Sequence, residues 1–418
     1  MGATMDRNKD KEILKPLIER LLEIAARPSE TRKKKLWANH QALNPVERPP
    51  VCVYYEGMPD PEWNRITGPF SCKTPAGLSL EKDLKKRLWM AENVPDDNIV
   101  WPFVTVLAVV SKAADWGVQV TWHESSGAGV LGARKAESPF KDGIDLNKLK
   151  FSDMQIDDAA TALLVEEFSE LCLGRLPVFV KYATLGASPF DKATELRGME
   201  EILFDCVDAP EKVKGLMEFL TVSLLAHHKA REAKGHLNVA TLDGKYAAFG
   251  WRVHSFYLPP DFNAAKPQLK NEWFYVSAQT SSGLGPDMYA EFVHPYNCRL
   301  AELMTDRTVY YHGCEMLDQK FGILKTLPHL RRVHVSPWSN TATAAEAFKT
   351  DAVLEIHSHP GKVFFGFSKN DMKNEIKAIT GPAKGLHFDI NLSDIHSVNS
   401  DQLLLRKWAE AAREALAQ

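Results

Sequence analysis

Hydrophobic positions recur along this chain in two rhythms. Residues 11–26 carry Ile13, Leu14, Leu17, Ile18, Leu21 and Leu22, at the three- and four-residue spacing of one apolar helical face. Pro28 closes that helix, and a second is expected over Ser29–Leu43. From residue 51 the rhythm changes to short β-branched or aromatic runs, each followed by a loop and a helical stretch. The candidate strands are Val51–Tyr55, Pro177–Tyr182, Leu237–Leu242, Trp273–Ala278, Thr308–His312, Arg332–Ser336, Ala352–His357 and His387–Leu392. Several read as apolar throughout, as parallel strands buried on both faces do. Helical patterns lie between them, at Ala209–Ala233, Pro286–Leu303, Thr343–Phe348 and Lys369–Ile379.

Eight strands alternating with helices predict an α/β fold of the (β/α)8 TIM barrel type. A doubly wound sheet is the alternative, but no Gly-x-Gly-x-x-Gly follows the first strand. The chain then reads as one barrel domain, 1–418, with N-terminal helices over 1–45 and an insertion over 56–150. The insertion holds a helix near Leu80–Glu92 and the runs Trp101–Val110 and Gly117–Trp122. It is expected to form a small antiparallel ribbon and helices covering one mouth of the barrel. Asp157–Leu173 is helical and returns the chain to the second strand.

Composition narrows the classes of function. Of the 418 residues, 25% are charged and 44% hydrophobic, the balance of a soluble globular protein. A net charge of -3 and the lack of a long basic block leave no footprint for nucleic acid. The run Arg32–Lys35 is a solvated helix face. No apolar stretch reaches the roughly 18 residues of a membrane span, and the polar N-terminus has no signal-peptide core. None of the six cysteines forms a Cys-x-x-Cys pair, so the thiols are expected to be reduced and the location cytoplasmic. Many barrels dimerise, which leaves a homodimer open.

The chemistry is expected at the C-terminal ends of the strands. Collected there are Glu56, Gln279, His312, Cys314, Glu315, Trp338, Asn340, Glu355, His357, His359, Asp394 and His396. His312 and Cys314 stand two apart, on one face of a strand, and imidazole with thiolate is a zinc donor set. Alone the pair is a weak signal, since Cys314 also reads as a small buried hydrophobe. His357 and His359 share a face in the same way, with hydrogen bonding to substrate or backbone as the plainer use. Cys52, Cys72, Cys172, Cys206 and Cys298 lack partners at metal spacing and read as packing residues. Trp89, Trp101, Trp116 and Trp122 fall in the insertion, where they offer core packing or an aromatic-binding wall.

Several stretches taken in order resemble the uroporphyrinogen decarboxylase-like superfamily, from about residue 140 to the C-terminus. They are Lys141–Leu149, Arg197–Asp205 with Pro210-Glu211, Gly285–Tyr289 with Phe292–Tyr296, His312-Gly313-Cys314, Leu392–Ser397 and Leu405–Trp408. The resemblance implies a (β/α)8 barrel and either a decarboxylase or a corrinoid-dependent methyltransferase. Decarboxylases of the family carry arginines after the first strand, whereas Val51–Met58 here offers an acid, Glu56. The methyltransferases share His-x-Cys as a zinc motif, which implies His312 and Cys314 as ligands. Their third ligand, a cysteine near the last strand, is missing from His387–Leu392. Asp389, Asp394, His357 and His396 remain as replacements, and His396 is the one adopted.

The reading is therefore a methyltransferase of the O-demethylase type, passing a methyl group from a small methoxyaromatic donor to a corrinoid protein. Glu315, His359 and Glu56 are its candidate proton-handling groups. Gln279, Trp338, His357 and Asp394 are its candidate substrate-binding groups. Zinc is the implied cofactor. No Asp-x-His-x-x-Gly occurs in the chain, so cobalamin would arrive on a partner. A decarboxylase or other lyase acting on a small acid, and a non-catalytic binding barrel, are the alternatives.

Overall fold

The computed structural model describes residues 2–55, 57–124, 134–242, 245–250, 253–255, 263, 265–305, 307–398 and 401–417. Eight strands lie in parallel ladders, labelled here in chain order: β1 Val51–Val53, β2 Val104–Leu107, β3 Val178–Lys181, β4 Phe274–Ser277, β5 Val309–His312, β6 Leu330–Val335, β7 Val353–His357 and β8 Phe388–Leu392. Six of them form one sheet in the order β1-β8-β7-β6-β5-β4, and every pairing in it is parallel. β2 and β3 form a separate parallel pair. Among the described residues no ladder joins the two sheets; a lone bridge from Ala187 to Val276 extends the β4 edge.

Seven of the eight expected strands appear in this frame. Leu237–Leu242 does not: Val239–Leu242 pairs antiparallel with Lys245–Gly250. Its place is taken by Val104–Leu107, which the sequence placed inside the insertion. Both runs are short and β-branched, so periodicity cannot rank them, and pairing with Val178–Lys181 decides. The remainder of the 56–150 segment does contain an antiparallel ribbon, Thr121–Glu124 against Arg134–Glu137.

The helices follow the apolar periodicity. Gly2–Ala25 and Pro28–Gln41 open the chain, with Pro28 at the first turn, where its missing N–H costs nothing. Thr74 caps Pro75–Asn93 by accepting from the Gly77 amide at 3.0 Å, and Ser368 and Asp371 close a capping box on Lys369–Thr380. The expected helix Pro286–Leu303 is broken into Pro286–Phe292 and His294–Ala301. Pro295 lacks the N–H that a continuous helix requires and restricts the residue before it.

Two cores hold the layers together. One lies between the six-stranded sheet and the helices around it, with Val333, Leu354, Ile356, Ile390, Phe348, Ile376 and Trp408 fully or almost fully buried. The other joins Leu14, Ile18 and Leu21 of the first helix to Leu80 and Leu84 and to Val104 and Val106 of β2. The N-terminal helices are therefore integral to the fold. None of the helices among the described residues is long and apolar enough to cross a membrane.

The strands are buried on both faces, as expected, but their chemistry alternates from one face to the other. Val309, Tyr311, Val333, Val335, Leu354, Ile356, Ile390 and Leu392 face the outer core, while Tyr310, His312, Arg332, His334, Glu355, His357, Asp389 and Asn391 occupy the other face. Nearly all of both sets are almost fully buried. Parallel register keeps the polar side chains level, with His334 opposite Glu355 and Glu355 opposite Asp389. A buried polar layer of this kind must be internally satisfied or it would cost several kcal/mol per charge.

Candidate active site

The polar layer is organised around Arg332. Its Nε donates to Glu355 Oε2 at 2.7 Å, and its NH2 donates to Asp389 Oδ1 at 2.7 Å. His40, from the helix Pro28–Gln41, reaches Asp389 Oδ2 at 2.9 Å, which ties the N-terminal helix to the sheet. Asn391 also donates to Asp389 Oδ1, at 2.6 Å. Burial alone would raise both carboxyls. The Arg332 charge and the hydrogen bonds instead hold Glu355 well below the ordinary carboxylate range and Asp389 at about 2. Burial lowers the His40 imidazole despite Asp389.

Toward the C-terminal ends of the strands the layer becomes a stack of imidazoles. The rings of His312 and His334 lie 4.1 Å apart, and those of His334 and His357 4.2 Å apart. Glu355 Oε1 receives the Tyr310 hydroxyl at 2.9 Å, His334 Nδ1 at 3.3 Å and His357 Nε2 at 2.7 Å. His312 Nδ1 lies 2.7 Å from the Tyr310 hydroxyl, and its Nε2 lies 3.2 Å from Cys314 Sγ. His357 Nδ1 lies 3.0 Å from the Ser393 hydroxyl, which in turn donates to Asp394 at 3.2 Å.

Two groups of side chains there have the chemistry and spacing to hold a metal ion: His312, Cys314 and His334, and His334, Glu355 and His357. Within each group the donor atoms lie no more than 4.8 Å from one another, close enough for bonds of about 2.0–2.3 Å to one zinc. The first group fits zinc better. Two neutral nitrogens and one thiolate leave a fourth tetrahedral position open, and Cys314 is the exposed thiol among the six. The other cysteines behave as packing residues, and burial pushes the Cys172 thiol up to about 12 and those of Cys206 and Cys298 to about 11.

The remaining expected residues fall in different places. His357 is buried in the imidazole stack. Trp338, 59% exposed, meets His359 edge-on at 4.8 Å, at the rim above β6 and β7. Asp394 is exposed and adopts φ 57°. Gln279 is exposed in the turn after β4. His396 is exposed beside Gly57 and belongs to neither metal-competent group among the described residues; His334 stands where the sequence reading put it. Glu56 lies outside the described residues. Asn340 caps the helix Thr341–Phe348 through the Ala342 amide.

Glu315 turns away from the histidines. A Cβ on Gly313 would come within 2.7 Å of its Oε2, so the glycine of His-Gly-Cys lets this carboxylate fold back on the chain. Both Glu315 oxygens are buried without a hydrogen-bond partner among the described residues. Burial raises its carboxyl to about 7, against the pull of its own backbone and of the Lys320 charge. A carboxyl raised in this way favours the fold while protonated, and that contribution is lost as pH rises from about 4.5 to about 7. Glu315→Gln is therefore expected to be neutral near pH 4 and stabilising near pH 8 by about 1–3 kcal/mol, the cost of an unsatisfied buried acceptor. Urea unfolding at the two pH values measures it.

The loops above the sheet are locked by a close backbone approach. A Cβ on Gly57, just after β1, would sit 2.6 Å from the Ile395 carbonyl oxygen in the loop after β8. Gly57→Ala is expected to cost about 1–3 kcal/mol, as overpacking does, read as a lower urea midpoint with unchanged slope.

Beside β4 the ribbon roofs two cavities. One, of about 1150 Å³, is lined by Trp122, Glu137, Lys141, Asp191, Met199 and Thr280 among others. The other, of about 670 Å³, includes Trp116, Val120, Trp122, Met154, Leu185 and Lys192. Asp191 accepts from the Ser277 hydroxyl at 3.0 Å and the Thr280 hydroxyl at 2.7 Å, and Ser277 is the register partner of His312. The larger cavity therefore opens one strand away from the imidazole stack. Of the five tryptophans of the 56–150 segment, Trp116 and Trp122 line these spaces. Trp89 packs on Trp63 and Trp101 on Phe103.

Arg332, His334 and Tyr310 were not among the expected site residues. The signal was available in Arg331-Arg332-Val333-His334-Val335, where charge and imidazole alternate with valine at a strand period.

No protein-family model matches this chain, and no curated protein does. A search of solved structures does find its fold. A methyltransferase from Methanosarcina mazei superposes with a TM-score of 0.53 at 14% identity, over 91% of this chain and 98% of the other. At that identity the likeness is one of fold: an α/β architecture with a parallel six-stranded sheet flanked by helices.

Proposed function

We propose that this chain is a methyltransferase of the uroporphyrinogen decarboxylase-like superfamily, moving a methyl group from a small methoxyaromatic donor to a corrinoid on a partner protein. The observation that carries the reading is the cluster of His312, Cys314 and His334 at the ends of β5 and β6. The fold likeness to a protein titled a methyltransferase supports it. In this reading β2–β3 completes an eight-stranded barrel with the six-stranded sheet, and the 56–150 segment covers its mouth. The reduced thiols suit a cytoplasmic setting.

His312, Cys314 and His334 would hold zinc. When bound there, zinc supplies a Lewis acid toward the donor heteroatom. Trp122 gives the donor ring an apolar wall and, with Asp191 and Thr280, bounds its space. Trp338 shields the rim. His359, whose Nδ1 is buried without a partner among the described residues, delivers the proton that the heteroatom takes as the methyl group leaves for the corrinoid.

The test begins with metal analysis of the purified protein. Reduced cobalamin is then added with a panel of methoxyaromatics and methylamines, and the corrinoid spectrum is followed. About one zinc per chain and donor-dependent methylation are expected. Absence of both bound metal and a spectral change would sink the proposal, and turnover without corrinoid would favour a lyase.

A further inference from the structure

Glu355 is fully buried beneath the site, yet it bonds one candidate imidazole ligand, His334, directly and the other, His312, through Tyr310. Arg332 sits against its Oε2 at 2.7 Å, and in that ion pair the carboxylate is an acceptor only. Whatever meets its other oxygen must donate. The Tyr310 hydroxyl therefore gives its one proton to Glu355 and can only accept from His312. That places a proton on His312 Nδ1 and the lone pair on Nε2, the nitrogen 3.2 Å from Cys314 Sγ. His334 likewise donates through Nδ1 to Glu355 Oε1 at 3.3 Å, so its lone pair is also on Nε2. His357 donates through Nε2 to the same carboxylate oxygen at 2.7 Å, and its Nδ1 lies beside the Ser393 hydroxyl.

We infer that Glu355 is the positioning residue of the site, setting the tautomers of His312 and His334 together, the first through Tyr310 and the second directly. One carboxylate thereby leaves the lone pair of both imidazoles on Nε2, and that of His312 faces Cys314 Sγ at 3.2 Å. The arrangement is a carboxylate–histidine pair extended by a tyrosine relay, and Arg332, itself held by Asp389, keeps the carboxylate charged and in place. The inference rests on the zinc reading of the same cluster.

Tyr310→Phe is the sharpest test, because it removes one hydroxyl and leaves every charge in place. In the metal-free protein, 15N-histidine spectra of the wild type should show His312 protonated at Nδ1, and the variant should gain the Nε2–H form. Zinc affinity, from competition with a chelator, should fall about 10–100-fold, as losses of such partners do. The thiolate-to-cobalt band of the Co(II)-substituted protein should be retained at saturating metal, because Cys314 is untouched. Glu355→Gln should weaken zinc binding further, with thermal melting to confirm that it folds. A wild-type His312 spectrum showing Nε2–H, or unchanged zinc affinity in Tyr310→Phe, would overturn the inference. A wild-type protein that binds neither zinc nor cobalt but shows the expected tautomers would instead overturn the proposed function and leave the tautomer assignment standing.

Discussion

Arg332→Ala is expected to destabilise the fold by about 3–5 kcal/mol, the range for removing one member of a buried ion group. Arg332 is fully buried and bridges Glu355 and Asp389, both fully buried as well. Its loss leaves two carboxylates facing each other's strands without a compensating charge. Urea unfolding with a tryptophan signal measures the change. The same group predicts a pH effect. Glu355 and Asp389 are held below their ordinary range, so their contribution is present above that range and lost as pH falls through the native values. For Asp389 that window runs from about 3.8 down to about 2. The wild type should therefore keep this contribution at pH 5 and lose it only in stronger acid. In Arg332→Ala the acid transition should move to higher pH, because the guanidinium charge that holds both carboxylates ionised is gone.

Cys314→Ala and His312→Ala are expected to remove bound metal and to lower methyl transfer by about 10³-fold, the equivalent of the several kcal/mol that a Lewis acid contributes. Cys314 is exposed and His312 is buried, so the two variants fail differently in stability. Cys314→Ala should melt like the metal-free wild type, whereas His312→Ala also leaves a cavity between the Tyr275 and His334 rings. Metal content by mass spectrometry and the corrinoid absorbance change are the two measurements. Full metal occupancy in Cys314→Ala would place the ion in the second group, on His334, Glu355 and His357.

Much of this site was legible as parts and little of it as a whole. His312 and Cys314 could be paired from sequence because they lie on one strand end, where period two places them together. His334 could not be joined to them, because the link is the lateral register of β5 against β6, which shifts between Val309 and Tyr310. His396 follows the last strand, but the loop after β8 packs onto Gly57 and leaves the imidazole exposed, outside both metal-competent groups among the described residues. Glu315 follows Cys314 directly, and the turn at Gly313 sends its carboxylate toward Lys320 and Asp191.

The sequence by itself determined the α/β alternation, the long helices and seven of the eight parallel strands. Helical and strand periodicity are local, written within a dozen residues, and burial of one face follows from them. It also placed the candidate metal-binding pair His312 and Cys314 at a strand end, because His-x-Cys lies where an apolar run stops. Only the tertiary structure decided that Val104–Leu107 pairs with β3, that the inner strand faces carry a charged layer, and that Arg332, Glu355 and Asp389 satisfy one another across three strands. Those are register relations between segments tens of residues apart. A shift of one residue would exchange the polar and apolar faces, and no local pattern specifies it. The site exists where the two levels agree: period two sets which side chains point inward, and register sets which of them meet.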